Sequence, residues 1–163
     1  SPGNPNATAH WTGHEAKRYD SRVKVEKIKQ FSIFMPNKPG VLSRLAALFA
    51  EKNINILGIA SEVRDDSGLV RIALPQDADV SSVLSQAGFS SVETSVISVE
   101  VDDQPGQLLK VTAALADGKI NITTVYGTSV SGAKTARILI NALNTDKALS
   151  ILEALALETS KEA

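Results

Sequence analysis

The sequence predicts an α+β protein made of two repeated βαββαβ modules, each an antiparallel sheet packed against helices. Pro39-Gly40-Val41-Leu42 recurs as Pro105-Gly106-Gln107-Leu108, and Ile54-Asn55-Ile56 recurs as Ile120-Asn121-Ile122, each 66 positions further along the chain. Strand-like and helix-like patterns follow one another in the same order around both copies. Two copies are too few for a solenoid, so we expect a tandem of two small modules.

The first copy opens with a strand and a helix. Phe31 and Ile33 alternate with polar Ser32 as a strand requires, and the strand is expected to stop at the turn residues 36–40. Apolar residues then fall at helical spacing over 41–52. Asn53 can take the left-handed conformation that ends a helix, and Gly118 is expected to do the same in the second copy.

A hairpin and a second helix follow in each copy. β-Branched residues predict the strands, and turn residues at 64–68 and at Ser131-Gly132 predict the reversals. The second helices are expected near 80–87 and from 148 to 157, with a polar end at 158–163. The predicted hairpin strands are Ile54–Val63, Leu69–Leu74, Ile120–Val130 and Thr135–Ala142.

The second copy lacks a closing strand of its own. Ser91–Val101 is long enough to close the first copy and open the second, but nothing strand-like follows the last helix. Because an unpaired edge is a liability, we hypothesise that Val23–Glu26 closes the second copy, from its own chain or from a partner's. The expected division is a flexible tail at 1–22, a first module at 23–94 and a second module at 95–163.

Composition excludes several classes of function. With 43% hydrophobic residues and a formal net charge of −1, the chain is typical of a globular protein and has no electrostatic footprint for nucleic acid or for an anionic membrane. The absence of Cys excludes disulfides, thiolate metal sites and cysteine nucleophiles. No apolar stretch approaches the ~20 residues of a membrane span. We therefore expect a cytoplasmic protein with no cofactor, no nucleic-acid partner and no membrane partner.

Catalytic and metal-binding arrangements are scarce. The two histidines, His10 and His14, lie in the expected tail beside Gly13, which disfavours the helix that a metal site at this spacing would need. Among the adjacent carboxylates, only Asp103 stays a candidate, because it precedes the repeated Pro-Gly loop. No nucleophile, base and orienting group can be assembled from the repeat, so we expect no catalytic residue, no metal site and no enzyme.

The repeated Pro-Gly loops are the candidate ligand sites. Gly40 and Gly106 let the backbone approach a ligand where a helix begins and exposes unpaired N–H groups, which suit a carboxylate. Asn or Asp precedes each loop and Asn follows each helix, a combination that suits a zwitterion. Gly127, in a predicted strand, could thin the sheet for a partner or ligand. Two interpretations stay open, since Pro-Gly can also merely shape a tight turn while the asparagines cap.

These residues resemble the ACT domain family. The strand, the Asn-x-Pro-Gly-x-Leu turn at 37–42, the amphipathic helix and the Ile-Asn-Ile strand carry the resemblance, which extends over 29–155 in two copies. The turn at 103–108 is a looser match. The resemblance implies a ferredoxin-like fold, modules paired side by side through their sheets, and amino acids bound at the interface between modules. It implies no active site.

The resemblance also implies which residues contact ligand. In ACT domains that sense serine, the Asn of the loop and the Asn after the helix do so, and the equivalent positions here are 37 and 55, with 103 and 121 in the second copy. A His that such domains often carry two residues before the loop Asn is Met35 here and Val101 in the second copy, which suggests a ligand with a more apolar side chain. The expected ligand-binding residues are Asn37, Lys38, Pro39, Gly40, Val41, Leu42, Asn55, Ile56, Asp103, Gln104, Pro105, Gly106, Gln107, Leu108, Asn121 and Ile122.

The function expected from this resemblance is a stand-alone regulatory protein that senses an amino acid or similar small ligand and associates as a homodimer. The alternative is a non-catalytic regulatory subunit that controls a separate biosynthetic enzyme, as similar domains do for acetolactate synthase. A transcription-linked regulator, similar to tandem ACT repressors of glycine cleavage, is a third class, but the near-neutral charge disfavours direct contact with DNA.

Overall fold

The computed structural model describes residues 23–129 and 132–162. The expected tail at 1–22, with His10 and His14, lies outside the described residues, as do Val130 and Ser131 of the second hairpin. The elements are β1 (Lys24–Pro36), α1 (Val41–Glu51), β2 (Gly58–Arg64), β3 (Ser67–Leu74), α2 (Ser81–Gln86), β4 (Ser90–Asp102), α3 (Gln107–Asp117), β5 (Ile122–Ser129), β6 (Thr135–Ala142) and α4 (Thr145–Glu162).

The described strands form one six-stranded antiparallel sheet in the order β2-β3-β1-β4-β6-β5. The α+β fold of two ferredoxin-like modules is confirmed, but the modules share a single sheet because β1 and β4 are each 13 residues long. β3 pairs with the second half of β1, and β6 pairs with the second half of β4. Each long strand therefore contributes one half to each four-stranded unit.

The first half of β1 lies in the second unit. Residues 24–28 pair with 96–100 of β4, on the side of β4 opposite β6. Val23 and Val25 pack against the second core, although they precede the first module in the sequence. The boundary between residues 94 and 95 stays a prediction, since β4 runs through it without a break.

All four helices cover one face of the sheet, over two hydrophobic cores. Opposed residues of antiparallel strands share a face, so the odd-numbered residues of β1 and β4 point to the same side. The first core includes Phe31, Ile33, Leu45 and Phe49, packed under α1 and α2. The second core is built at equivalent positions from Ile97, Val99, Val111 and Leu115, with Ala148 and Leu152 of α4.

The helix-free face is closed by the curl of the sheet itself. Ile28, Ala73, Val96 and Leu139 form a third buried cluster there, although no helix covers them. β2 and β5, at opposite ends of the strand order, approach each other over this cluster. Gly58 allows the approach, since a Cβ at this position would overlap a terminal methyl of Leu139.

Polar contacts join the two edges across this face. The Tyr126 hydroxyl of β5 donates a hydrogen bond of 2.8 Å to Oε1 of the buried Gln30. Nη1 of Arg137 donates to the carbonyl of Leu57, immediately before β2, at 3.1 Å. These hydrogen bonds connect the second module to β1 and β2 of the first.

Three predicted element boundaries are wrong. β2 begins at Gly58 and β5 at Ile122, because the amides of Ile54 and Ile120 bond instead to the carbonyls at the ends of the preceding helices, both at 2.9 Å. Lys119, with φ 57°, takes the left-handed conformation expected of Gly118. Gly118 has φ −80°, and its missing Cβ leaves room for Ile151 of α4.

The end of α4 also differs from the prediction. The helix continues past Leu157 to Glu162 despite the polar sequence. Thr159 is buried, and its hydroxyl donates a hydrogen bond of 2.8 Å to the carbonyl of Leu155. A polar residue with this local partner can therefore extend the packed face of a helix. Within 23–129 and 132–162, no helix is long and apolar enough to cross a membrane.

Candidate ligand-binding site

Each Pro-Gly loop places a left-handed glycine at the start of a helix. Gly40 and Gly106 are the N-cap residues of α1 and α3, with φ 88° and 90°. No side chain caps either helix. The N–H groups of each first helical turn therefore lack the side-chain acceptor that often satisfies them. No heavy atom lies within 4 Å of where a Cβ would stand on either glycine, so backbone conformation, rather than crowding, requires glycine here.

Backbone hydrogen bonds fix each loop to the hairpin of its own module. The amide of Asn37 donates to the carbonyl of Asp66 at 2.9 Å, and the amide of Asp103 donates to the carbonyl of Lys134 at 2.9 Å. The side chains of Asn37 and Asp103 are not used for these contacts. Both residues are exposed at the loop, so their polar groups are accessible to a ligand.

A cavity of about 420 Å³ lies beside the second loop. It is bounded by the end of β4, the loop and first turn of α3, the last five residues of β5, and the start of β6. Its volume is in the range of small-molecule sites. The lining residues are Val101, Asp102, Asp103, Gln104, Gln107, Leu108, Val125, Tyr126, Gly127, Thr128, Ser129, Ala136, Arg137 and Ile138.

A smaller cavity of about 110 Å³ lies beside the first loop. All eleven of its lining residues have a counterpart that lines the larger cavity, nine at an offset of 66 and two, Gly68 and Val70, at the offset of 68 that the strand register gives. The two cavities are thus the same place in the two repeats. The lining residues are Met35, Pro36, Asn37, Lys38, Val41, Leu42, Ser61, Glu62, Val63, Gly68 and Val70.

A further cavity, of about 530 Å³, adjoins the smaller one and shares Met35, Pro36, Glu62 and Gly68 with it. Its other lining residues include Phe34, Arg64 and Leu69, and Phe34 and Leu69 lie opposite each other on the helix-free face of the first module. It contains none of the loop residues predicted from the sequence. It is therefore a weaker candidate than the repeated pair.

The structure brings together half of the predicted ligand-binding residues. Pro39, Gly40, Pro105 and Gly106 shape the loops without lining the cavities. The residues after the helices lie at the other end of α1 and α3, since an 11-residue helix rises about 16 Å. The residues at the cavities are Asn37, Lys38, Val41, Leu42, Asp103, Gln104, Gln107 and Leu108, and those at the far helix ends are Asn55, Ile56, Asn121 and Ile122.

Sequence reasoning missed the strand side of the cavities. Most of β5 and the start of β6 form one wall of the larger cavity, and Ser61–Val63 and Val70 form the equivalent wall of the smaller one. The 66-residue offset aligns β2 with β5, but the second hairpin is two residues longer, so β6 follows β3 at an offset of 68 and the offset of 66 misaligns that wall. The sequence suggests that Gly127 could thin the sheet for a partner or ligand, and Gly127 lines the larger cavity.

Charged side chains around the hairpins are mostly paired. Arg137 donates from Nη2 to Oε1 of Glu100 at 3.2 Å, while its Nε is buried without a hydrogen-bond partner among the described residues. In the first hairpin, Nη1 of Arg71 donates to Oε1 of the exposed Glu62 at 2.5 Å. This hydrogen bond lowers the pKa of the Glu62 carboxyl. In the part of the chain that the structure describes, no cluster of three acidic or histidine side chains is suited to a metal ion.

Tyr126 joins the cavity to the closed face of the sheet. It lines the larger cavity, and its hydroxyl bonds to Gln30 on the helix-free side. Burial raises the pKa of the Tyr126 phenol to about 12, against a smaller opposing effect of the Arg71 charge. The phenol is therefore a neutral hydrogen-bond donor at physiological pH.

Solved structures of known proteins share this fold. Protein BT0572 from Bacteroides thetaiotaomicron is 25% identical over 87% of this chain and 99% of its own, with a TM-score of 0.69. The regulatory subunit of aspartate kinase from Thermus thermophilus, in its ligand-free form, is 18% identical over 82% and 96%, with a TM-score of 0.61. E. coli aspartokinase III in complex with aspartate and ADP is 15% identical over 80% of this chain and 31% of that chain, with a TM-score of 0.56. At these low identities the two kinase structures show a shared fold alone.

The family assignment comes from a family model. No curated protein matches the chain, but the model described as the ACT domain pair matches residues 26–162. ACT domains bind small ligands such as amino acids and have a regulatory role. This match includes both modules and both Pro-Gly loops, so the chain belongs to the ACT domain pair family.

Proposed function

We propose that this chain is a regulatory protein that binds an amino acid at its Pro-Gly loops and signals the occupancy to another protein. The observation that carries the proposal is the cavity of about 420 Å³ where the second loop, the first turn of α3 and the edge strand β5 meet. Polar side chains line its loop end, and its strand wall combines four aliphatic side chains with Tyr126, Thr128, Ser129 and Arg137. Such a combination suits a small zwitterion with a hydrophobic side chain.

The loop end offers separate partners for the two charges of an amino acid. The first turn of α3, which no side chain caps, favours a carboxylate, because the helix dipole adds to the hydrogen-bonding capacity of its N–H groups. The amide of Gln107 itself donates to the carbonyl of Gln104 at 3.4 Å. The carboxylate of Asp103 is on the same loop and suits an ammonium group. Val101, Leu108 and Ile138 then provide an apolar surface for the side chain.

A second copy of the chain would complete the site. β2 and β5 are the outer strands of the sheet, and apolar side chains remain about half exposed beside both of them. Pairing of two chains along these edges would cover the open side of each cavity. The exposed side chains are Leu42, Ile59 and Val63 beside β2, and Leu108 and Val125 beside β5.

A second candidate function is that of a regulatory subunit that docks on a separate enzyme. The observation that favours it is the exposure, at 64–73%, of Leu109 on α3, Leu157 on α4 and Leu143 in the turn between β6 and α4. Leucines this exposed are available for a partner protein. One structural relative is itself a regulatory subunit, of aspartate kinase. Binding of an amino acid and docking on an enzyme are compatible in one protein.

A thermal-shift screen against the twenty amino acids tests the proposed function. A ligand that binds only the folded state stabilises it by about 2.7 kcal/mol at a concentration one hundred times Kd, so a genuine ligand raises Tm. We expect a selective rise that Asp103→Ala reduces. Lys24→Ala, an exposed change in β1 away from both cavities, is the matched control and should leave the shift intact. An unchanged Tm across the whole panel would refute the proposal.

A further inference from the structure

We propose that only the second module binds the ligand, and that Gln107 is the residue that selects it. The inference rests on the proposed function and assigns the ligand site to one of two repeat-related cavities. Its ligand class is an amino acid with an apolar side chain, one molecule per chain. Cavity size, a buried polar side chain and loop charge each distinguish the second module from the first.

Cavity size separates the modules first. In the strand wall, Gly127 stands where the first module has Ser61, and Val101 replaces the longer Met35. These two replacements remove side-chain volume, although Ala136 and Ile138 are larger than Gly68 and Val70 at the same register positions. The second cavity is about 420 Å³ against about 110 Å³ in the first. The first cavity is too small for most amino acids, since ligand sites usually enclose several hundred Å³.

Gln107 is the second distinguishing feature. Its side chain lines the second cavity with only 9% of the residue exposed, and no hydrogen bond of its amide is found among the described residues. The amide atoms are not among the fully enclosed unpaired polar atoms, so they can be reached from the cavity. The first module has Val41 at this position, which needs no hydrogen bond. A polar group placed at a cavity wall without a protein partner is explained if the ligand supplies one.

Loop charge separates the modules in the same direction. The first loop carries Asn37 and Lys38, with one positive charge, whereas the second carries Asp103 and Gln104, with one negative charge. The second loop therefore attracts the ammonium group of an amino acid, and the first repels it. Both loops keep a helix N-terminus for the carboxylate.

The strand end of the second cavity indicates an apolar side chain. Val101, Leu108, Val125 and Ile138 line it, and Ala136 leaves space between them. Gln107 lies at the first residue of α3, next to the loop where the polar head of the ligand would lie. Its amide would then bond to the carboxylate or ammonium group while the strand wall contacts the side chain.

Isothermal titration calorimetry with leucine, isoleucine, valine, methionine and phenylalanine as individual probes tests the inference. For the wild-type chain we expect at least one probe to bind with one site per chain. Ala136→Val should fill the second cavity and abolish that binding, and we expect β6 to tolerate valine because β-branched residues favour strands. The matched control, Ser61→Val, blocks the first cavity and should leave the affinity unchanged.

Gln107→Val provides an independent readout. The variant replaces the amide with the residue that the first module has at this position, so we expect binding to weaken by at least about tenfold. The urea midpoint should change little, because no hydrogen bond of the Gln107 side chain within the described residues is lost. A purely structural role for Gln107 would instead lower the midpoint and leave the affinity of the folded protein unchanged.

The outcomes separate the two proposals. One site per chain, lost in Ala136→Val and kept in Ser61→Val, supports the inference. Two sites per chain, or binding lost only in Ser61→Val, overturns it while the proposed amino-acid binding stands. Binding of polar amino acids with all five apolar probes inactive also overturns it without affecting the proposed function. A wild-type chain that binds none of the twenty amino acids overturns both.

Discussion

Tyr126 shows how one side chain connects the two modules. Its hydroxyl donates a hydrogen bond of 2.8 Å to the side chain of Gln30. Because Gln30 is only 1% exposed, water cannot replace this hydrogen bond if it is lost. Removing the hydroxyl leaves the Gln30 oxygen unpaired in the interior. We expect Tyr126→Phe to reduce the free energy of unfolding by about 1–3 kcal/mol at neutral pH, measured by urea titration.

The pKa of Tyr126 predicts a further difference at alkaline pH. In the unfolded chain a tyrosine ionises near pH 10, whereas burial holds the folded-state pKa at about 12. Between these values the unfolded state binds fewer protons than the folded state, so stability falls as pH rises. Urea midpoints should therefore fall more steeply for the wild type than for Tyr126→Phe above pH 10. Parallel pH profiles would contradict the buried, neutral phenol.

Sequence reasoning at the residue scale identified the loops but not their environment. The conformational need for glycine at 40 and 106 follows from a turn that leads directly into a helix, and both residues have positive φ. The burial of Gln107 could not be predicted, because it depends on how α3 sits over β4 and β5. The position of Asn55, at the end of α1 far from the cavity, could not be predicted either. The sequence pattern joins the loop, the helix and this Asn, but it does not specify which end of the helix lies at the cavity.

At the scale of elements, the first half of β1 is the strand that the second module lacks in its own sequence. Val25 is half-buried against the second core, although it belongs to the strand that opens the first module. We expect Val25→Asp to cost about 2 kcal/mol or more in the free energy of unfolding, because the carboxylate would be buried without a partner. The exposed neighbouring change Lys24→Asp should cost little.

Concentration dependence decides which chain supplies this strand. If β1 pairs with β4 of its own chain, the loss in Val25→Asp will be the same at low and high protein concentration. Pairing of two chains along their edges would raise the urea midpoint of both the wild type and Val25→Asp with concentration, whereas a strand exchanged between chains would also make the difference between them depend on concentration. The loss in Val25→Asp would then grow on dilution, which would contradict closure within one chain.

The repeat offset predicted most elements because each one follows a local pattern. Helices α1 and α3 begin as expected, and the hairpins reverse where the turn residues are. The strand starts at Gly58 and Ile122 could not be located from β-branched residues, since the amides before them complete the preceding helix ends. The extension of α4 depends on the burial of Thr159, which the polar sequence conceals.

On the scale of the whole molecule, the sheet shared by the two modules predicts one cooperative unfolding transition. Neither four-stranded unit can keep its sheet if the other unit loses β1 or β4. Calorimetric and van't Hoff enthalpies of unfolding should therefore agree. Two resolved thermal transitions would indicate modules that unfold independently and would contradict the shared sheet.

The closed helix-free face can be tested at Gly58. A Cβ there would overlap the side chain of Leu139, which is 1% exposed and cannot move aside freely. We expect Gly58→Ala to destabilise the wild type by about 1–3 kcal/mol. In a Leu139→Ala background the penalty should largely disappear, giving a clear coupling energy in a double-mutant cycle. Equal costs in both backgrounds would show that β2 does not pack on this cluster.

This closure was beyond sequence reasoning. The third cluster joins Ile28, Ala73, Val96 and Leu139 from four strands, and no local period indicates that they meet. It depends on how far a six-stranded sheet twists, which is a property of the assembled sheet. The sequence predicts only part of the way in which the two modules share β1 and β4. It indicates that the second copy lacks a closing strand, but not that both long strands run through both modules.

The central claim, that the second cavity binds an amino acid, is tested most directly by amide chemical-shift mapping of the ¹⁵N-labelled chain. The probe is a mixture of the twenty amino acids, added in steps. The account predicts saturable shifts concentrated in the lining of the second cavity, at 101–108, 125–129 and 136–138, with smaller changes at the first loop. A spectrum that does not change, or shifts confined to the first loop or to the helix-free face, would contradict it.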